Sequence, residues 1–188
     1  MPRISFIGAL VRQTGLFIAW LPVLVFVNDH FVSVGMVEGQ SMQPTLNPHV
    51  NGLWNDWVLL WRWGLHRRDG TLAIERGQVV MVRYRSPVEP EAYLAKRVIA
   101  VEGDVVQTRS RASVRVKIPK GIVGYIWIEG DEGFRSCDSN TYGAIPTALV
   151  EAEITHIIWP WWRIGRVKQG SGRHVRVCPG TVEDLSVS

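Results

Sequence analysis

Apolar positions fall into two regimes along the chain. From Ile4 to Val27 they are nearly continuous, interrupted by Arg12 and Gln13, with an unbroken stretch from Leu16 to Val27. From Val32 onward they come in short runs rich in β-branched and aromatic residues. These are Val34 to Glu38, Trp57 to Trp61, Gln78 to Tyr84, Ala92 to Val101, Val105 to Thr108, Val114 to Ile118 and Tyr125 to Ile128. Clusters of Gly, Pro, Asn and Asp separate many of them, the punctuation of strands and turns. The first regime predicts one helix. The second predicts a mainly antiparallel, partly closed β fold. Thr147 to His156 reads as a short helix or as a turn entering a last strand, and the polar end after Val167 as a mobile tail. The expected organisation is therefore an N-terminal segment over 1–30, a folded domain over 31–168 and a tail over 169–188.

A membrane-spanning helix needs roughly 20 apolar residues, within a range of about 17 to 25. The unbroken stretch alone is too short, and the full segment suffices only if Arg12 snorkels or finds a partner. Pro22 is tolerable in such a helix as a kink. A cleavable leader would need small residues soon after the apolar core, and Val27-Asn28-Asp29-His30-Phe31 offers none. A buried helix of the folded domain remains an alternative. A single anchor is the preferred reading. Arg3 and Arg12 on the N-terminal side, with Asp29 after the core, put the N-terminus inside and the remainder on the far side.

Composition changes this picture little. The 188 residues are 46% hydrophobic and 20% charged, a globular balance. The net charge of +4 comes from arginines scattered over separate segments, which argues against nucleic acid as a partner. Cys137 and Cys178 form no disulfide framework, and the five dispersed histidines form no metal motif. Trp54, Trp57, Trp61 and Trp63, with Trp159, Trp161 and Trp162, are either core filling or a belt seated on a bilayer.

Candidate chemistry centres on Ser41 and Lys96. In Gly39-Gln40-Ser41-Met42-Gln43-Pro44, Gly39 permits close approach or a positive φ, and Pro44 fixes a turn. Such a loop can expose a hydroxyl with its own N–H aimed at a developing oxyanion. An ordinary loop serine has the same sequence cost. Strand alternation puts Leu94, Lys96, Val98 and Ala100 on one face, and Ala95, Arg97, Ile99 and Val101 on the other. Apolar same-face neighbours disfavour the ammonium form of Lys96, lowering its pKa from about 10.4. A neutral amine can take a serine's proton, the logic of a Ser-Lys hydrolase. The bland alternative is a lysine snorkelling at a sheet edge.

The segment from Gly130 to Gly143 has the composition of a turn-rich loop. Within it, a Ser136 hydroxyl could orient the Lys96 amine, and Asp131 or Asp138 could pair with Arg97.

Segments 37–46, 76–83, 96–104 and 129–143 together resemble the ordered motif set of type I signal peptidases, spread over most of residues 34–160. Within that family the chain is similar to the mitochondrial inner membrane proteases. The likeness rests on its small size, Val37-Glu38-Gly39-Gln40-Ser41-Met42-Gln43-Pro44, Lys96-Arg97-Val98-Ile99-Ala100, Tyr125-Ile126-Trp127-Ile128-Glu129-Gly130-Asp131 and Asp138-Ser139-Asn140. The resemblance implies Ser41 as nucleophile, Lys96 as general base and Ser136 as the lysine-orienting hydroxyl, with Gly39, Met42, Arg97, Asp131 and Asp138 in support. It implies no cofactor. It also implies a second catalytic subunit as partner, the outer face of the mitochondrial inner membrane as location, and precursor polypeptides with bipartite presequences as substrates. These would bind extended along a strand edge.

Two departures from the family pattern narrow the expectation. Bacterial members often carry a serine two residues before the nucleophile, where this chain has Gly39. The bacterial pattern also ends Asp-Ser-Arg, where Asn140 stands here, so an Asp138–arginine pairing would need another residue, with Arg97 the candidate. A bacterial-type signal peptidase I and a non-catalytic stabilising subunit remain alternatives. Self-cleaving repressors share the Ser-Lys pairing, but the apolar N-terminus and the lack of a DNA-binding helical domain count against them. The lysine separates the chain from endoplasmic-reticulum members, which resemble it but use histidine there.

Overall fold

A computed structural model describes residues 3–48, 54–65, 73–84, 92–109, 115–118, 124–133, 136–170 and 176–178. The chain begins with helix α1, Arg3–His30, whose described side chains start at Gln13. The side chains of Arg3 and Arg12 lie outside the described residues. From Leu16 to Val27 the large apolar side chains of α1 are exposed. Among the described residues no helix is both long and apolar enough to cross a membrane.

The rest is built on one large sheet. Its strands are β1 (Val32–Met36), β2 (Trp57–Trp61), β3 (Val79–Tyr84), β4 (Ala92–Ala100), β7 (Tyr125–Glu129), β8 (Ile145–Pro146) and β9 (Val150–Trp159), with β10 (Gly165–Arg166) flanking β9. The spatial order is β1-β2-β9-β3-β4-β7-β8. A separate small sheet joins β5 (Val105–Gln107), β6 (Arg115–Lys117) and β11 (Val177–Cys178) in the order β11-β5-β6. All these pairings are antiparallel.

One expectation needs correction and another is resolved. The large sheet is an open path rather than a partly closed one, because its end strands β1 and β8 do not pair. The ambiguous segment after Ile145 resolves into a 3-10 turn, Thr147–Leu149, followed by β9. The second alternative is therefore the right one, and the ten-residue strand lies between β2 and β3. The polar end is also held at two points. Arg97 donates to the Lys168 carbonyl, and Val177–Cys178 pair with β5. Residues 171–175 lie outside the description.

β3 shows how the sheet makes two cores. Val79 and Met81 point into an apolar layer with Met42, Leu46, Val58 and Ile154. Val80 and Val82 point into another, with Val98, Ile126 and Ile128. Each fully buried side chain of this size contributes roughly 1.5–3 kcal/mol. The seven tryptophans of the two sequence clusters are not core. Trp54, Trp57, Trp61, Trp63, Trp159, Trp161 and Trp162 are all exposed, whereas Trp127 is buried beneath the small sheet with Val106 and Ile118.

Candidate active site

The loop bearing Ser41 is pinned from below by its own apolar residues. Met42 and Leu46 sink into the core, and Leu46 N–H donates to the Met42 carbonyl at 2.9 Å. Gly39 turns the chain at φ +85°, a conformation that disfavours any residue with a Cβ. The Gln43–Pro44 peptide is cis. Ser41 is thereby left half-buried at the rim of the loop.

Lys96 arrives on sheet register. It sits opposite Val80 in the β3–β4 ladder, is 2% exposed, and shares a face with Val80 and Val98. Its Nζ donates to Ser136 Oγ at 3.0 Å. Burial lowers the lysine pKa, opposed by the negative charge of Asp138 and by Cys137. Ser41, Lys96, Leu94, Tyr84 and Cys137 line one open cleft of about 630 Å³. An apolar cavity of about 110 Å³ adjoins it, also touching Ser41, with walls that include Met36, Met42, Leu60, Met81 and Ile154.

The opposite face of β4 carries Arg97, which is 1% exposed. Of the two carboxylates offered to it by the sequence, Asp131 is the partner. The pair is bidentate, Nε to Oδ1 at 2.8 Å and Nη2 to Oδ2 at 2.7 Å. Thr45 Oγ1 closes the triangle, donating to Asp131 Oδ2 at 2.5 Å and accepting from Arg97 at 3.2 Å. The remaining Arg97 donor bonds the carbonyls of Gly77 and Lys168. Arg97 therefore ties the serine loop, β4 and the stretch after β10 at Lys168 together.

An Asp138–Arg97 pairing does not form, because Asp138 is occupied elsewhere. It caps the short helix α2, Ser139–Tyr142, accepting from Asn140 N, and it also accepts from Asn140 Nδ2 and Gly130 N–H. Asn140 donates from the same amide to Glu129 and accepts from Arg109 N–H. Glu129, fully buried, takes Arg109, Arg176, Asn140 and Trp127 Nε1. Those contacts hold its carboxyl below the ordinary range despite burial, which alone would raise it.

A profile of the family described as signal peptidase, peptidase S26, matches residues 10–118, more than half of the sequence. The chain belongs to the S26 signal peptidase family. It is 45% identical over 149 residues to the mitochondrial inner membrane protease subunit 2 of Schizosaccharomyces pombe, covering 79% of this chain and 76% of that protein. It is 37% identical over 165 residues to subunit 2 of Saccharomyces cerevisiae, covering 87% and 89%. Human mitochondrial inner membrane protease subunit 1 is more distant, at 29% identity over 168 residues, covering 89% and 94%. The family likeness read from the motifs around Ser41, Lys96 and Asp131 is thus correct, and so is its narrowing to the mitochondrial inner membrane proteases.

Within this S26 site, several residues escaped sequence reasoning. Gly130 is the clearest. A Cβ there would lie 2.2 Å from Ser136 Oγ and 2.5 Å from the Ser41 carbonyl oxygen, so only glycine lets the two sides meet. Its place between a buried strand and an acidic turn was the available signal. Thr45, Asn47, Arg109 and Glu129 gave no such signal, because residue type alone does not announce their partners.

Proposed function

We propose that the chain is a membrane-anchored serine endopeptidase that removes sorting sequences from precursor proteins. The observation that carries this reading is the buried Lys96 amine, bonded to Ser136 in the cleft that also holds Ser41. In the reaction, neutral Lys96 Nζ takes the Ser41 hydroxyl proton as Oγ attacks the scissile carbonyl carbon. The Ser41 N–H donates to the oxyanion, and the bond from Glu132 N–H to the Ser41 carbonyl, at 3.0 Å, supports this by holding the loop. The Lys96 ammonium then returns its proton to the leaving amine. A water activated by the same amine releases the acyl group from Ser41. Ser136 fixes the lysine rotamer throughout, and Gly39 leaves the approach to the oxyanion side open.

The likeness to mitochondrial inner membrane protease subunits supports a setting. The chain works beside a second catalytic subunit at the inner membrane, its domain facing the intermembrane space, on bipartite presequences. The cleft suits an extended substrate. Its adjoining cavity is small and apolar, and β1 forms an open sheet edge alongside it. α1 with the residues preceding Gln13 forms the anchor.

The exposed aromatic face supports the lipid contact. Val34 and Met36 of β1 and Trp57 and Trp61 of β2 are exposed on one continuous sheet face, with Trp159 of β9 beside Trp57. Phe31 stacks on Trp63 at 4.5 Å where α1 ends, so this face begins at the anchor. Indole rings favour the bilayer boundary.

The test is precursor processing by Ser41→Ala, Lys96→Ala and Lys96→Arg chains expressed with the wild-type partner, with accumulation of both subunits measured. All three abolish processing while the subunits persist, Lys96→Arg because a guanidinium stays charged. Wild-type rates in these variants would overturn the catalytic reading. Loss of processing together with loss of the partner would favour a stabilising subunit instead.

A further inference from the structure

Ser41 sits on a loop whose two ends are brought together at one buried residue, Asn47, which none of the chemistry above employs. Asn47 is 6% exposed and adopts φ +49°, left-handed backbone that asparagine tolerates better than most residues. Its amide uses both ends. Nδ2 donates to the Val37 carbonyl at 2.6 Å and to the Gly39 carbonyl at 3.3 Å, while Oδ1 accepts from Asp56 N–H at 2.7 Å. Its main chain is engaged as well: its N–H donates to Asp56 Oδ2 at 2.8 Å, and its carbonyl accepts from Gln43 Nε2 at 2.7 Å.

The anchor behind Asn47 is itself buried and charged. Asp56 is 1% exposed, and Arg163 pairs with the same Oδ2 that accepts the Asn47 N–H. Arg163 also donates to the Thr45 carbonyl at 2.9 Å. It comes from the 3-10 turn Trp161–Arg163, remote in sequence from the loop. Asp56 Oδ1 is buried with no hydrogen-bond partner, so the Arg163 contact is what compensates this carboxylate.

We propose that Asn47, braced by Asp56 and Arg163, is the positioning residue that sets where Ser41 stands relative to Lys96. This rests on the reading of Ser41 as nucleophile. Only an amide fits the requirement, because one end must donate to two carbonyls while the other accepts an N–H. Aspartate is isosteric but would present oxygen to the carbonyls of Val37 and Gly39. Glycine keeps the left-handed backbone and removes all three side-chain bonds. Both changes free the chain just before Ser41 without touching Ser41, Lys96 or Ser136.

The test compares wild type, Asn47→Asp, Asn47→Gly, Arg163→Gln and Ser41→Ala as full-length chains with the partner subunit in lipid vesicles. Steady-state cleavage of a presequence peptide is measured across pH, alongside thermal unfolding. Both Asn47 variants should lose kcat on the order of 10²-fold, the effect of a misplaced reacting group. KM should stay within about twofold, and the pH midpoint of kcat should not move, since Lys96 keeps its surroundings. Arg163→Gln should lose kcat by about tenfold with the same unmoved midpoint. It serves as the deciding variant if the Asn47 proteins do not accumulate. Unchanged kcat in any folded variant, or a loss that only follows the folded fraction, overturns the proposal. Wild-type cleavage by Ser41→Ala would overturn the nucleophile reading instead, so the two failures are separable.

Discussion

Ser41 and Lys96 face one cleft but are held there by different means. Lys96 is placed by the ladder: its pairing with Val80 in β3 fixes its face, and a side-chain bond to Ser136 completes its setting. Ser41 is placed by a loop with no ladder bonds, so its position depends on ties made by others. Those ties are the Asn47 amide, the Glu132 N–H and the Arg97–Thr45–Asp131 triangle. A strand residue inherits its precision from many equivalent hydrogen bonds, each replaceable. A loop residue inherits it from a few polar groups, each of which matters. The two halves of the site should therefore respond differently to substitution.

The largest effect should come from the reacting groups. Ser41→Ala and Lys96→Met each lower kcat/KM by at least about 10³-fold, and the double variant is no worse than either, because the two act as one unit. Additive losses, measured on a presequence peptide, would break that unity. Next is Gly130→Ala, which strikes both halves at once. Its methyl group collides with Ser136 Oγ and the Ser41 carbonyl, costing about 1–3 kcal/mol of stability and about 10²-fold in kcat. Chemical denaturation and kinetics on the same preparation separate the two losses. A variant that keeps full activity would mean the serine and lysine sides need not meet at Gly130.

Arg97→Met sharpens the comparison from the loop side. It removes the bidentate partner of the buried Asp131, so stability falls by about 3–5 kcal/mol, read by urea unfolding. An unchanged midpoint would remove Arg97 as a tie. The smallest effect concerns the aromatic face. In a Trp20→Phe background, full-length protein in vesicles of brominated lipid should show quenched tryptophan emission. Trp54→Phe with Trp61→Phe should reduce the quenched fraction, with little change in kcat. Emission indifferent to the brominated lipid would remove the bilayer seat.

The same contrast explains what was readable beforehand. Period-two alternation reports which face a strand residue occupies, so the opposite facing of Lys96 and Arg97 could be read from Leu94 to Val98. The alternation fails past Val98, where an irregularity in the β4–β7 pairing lets Ile99 and Ala100 join one cluster. Loop chemistry was legible only where a residue type announces itself, as Gly39 and Pro44 do. Asn47 and Glu129 look ordinary because their meaning lies in partners brought close only by folding. Arg109 and Arg176 make the same point: both reach the buried Glu129 from distant segments. The central place of β9 was hidden for a related reason, since its polar residues Glu151, Glu153 and His156 mask a strand that is buried at alternate positions.

The account depends most on Lys96 being able to lose its proton. Its folded pKa lies below the ordinary lysine value because burial disfavours the ammonium. Activity should therefore rise with pH through that lowered pKa. Stability should rise as well between the folded pKa and the unfolded one, because the unfolded chain binds the extra proton in that window. The direct measurement is an NMR titration of the Lys96 ε-methylene in lysine-labelled Ser41→Ala protein, assigned by comparison with Lys96→Arg. The prediction is a midpoint clearly below about 10.4. A midpoint at or above that value would contradict Lys96 as the general base.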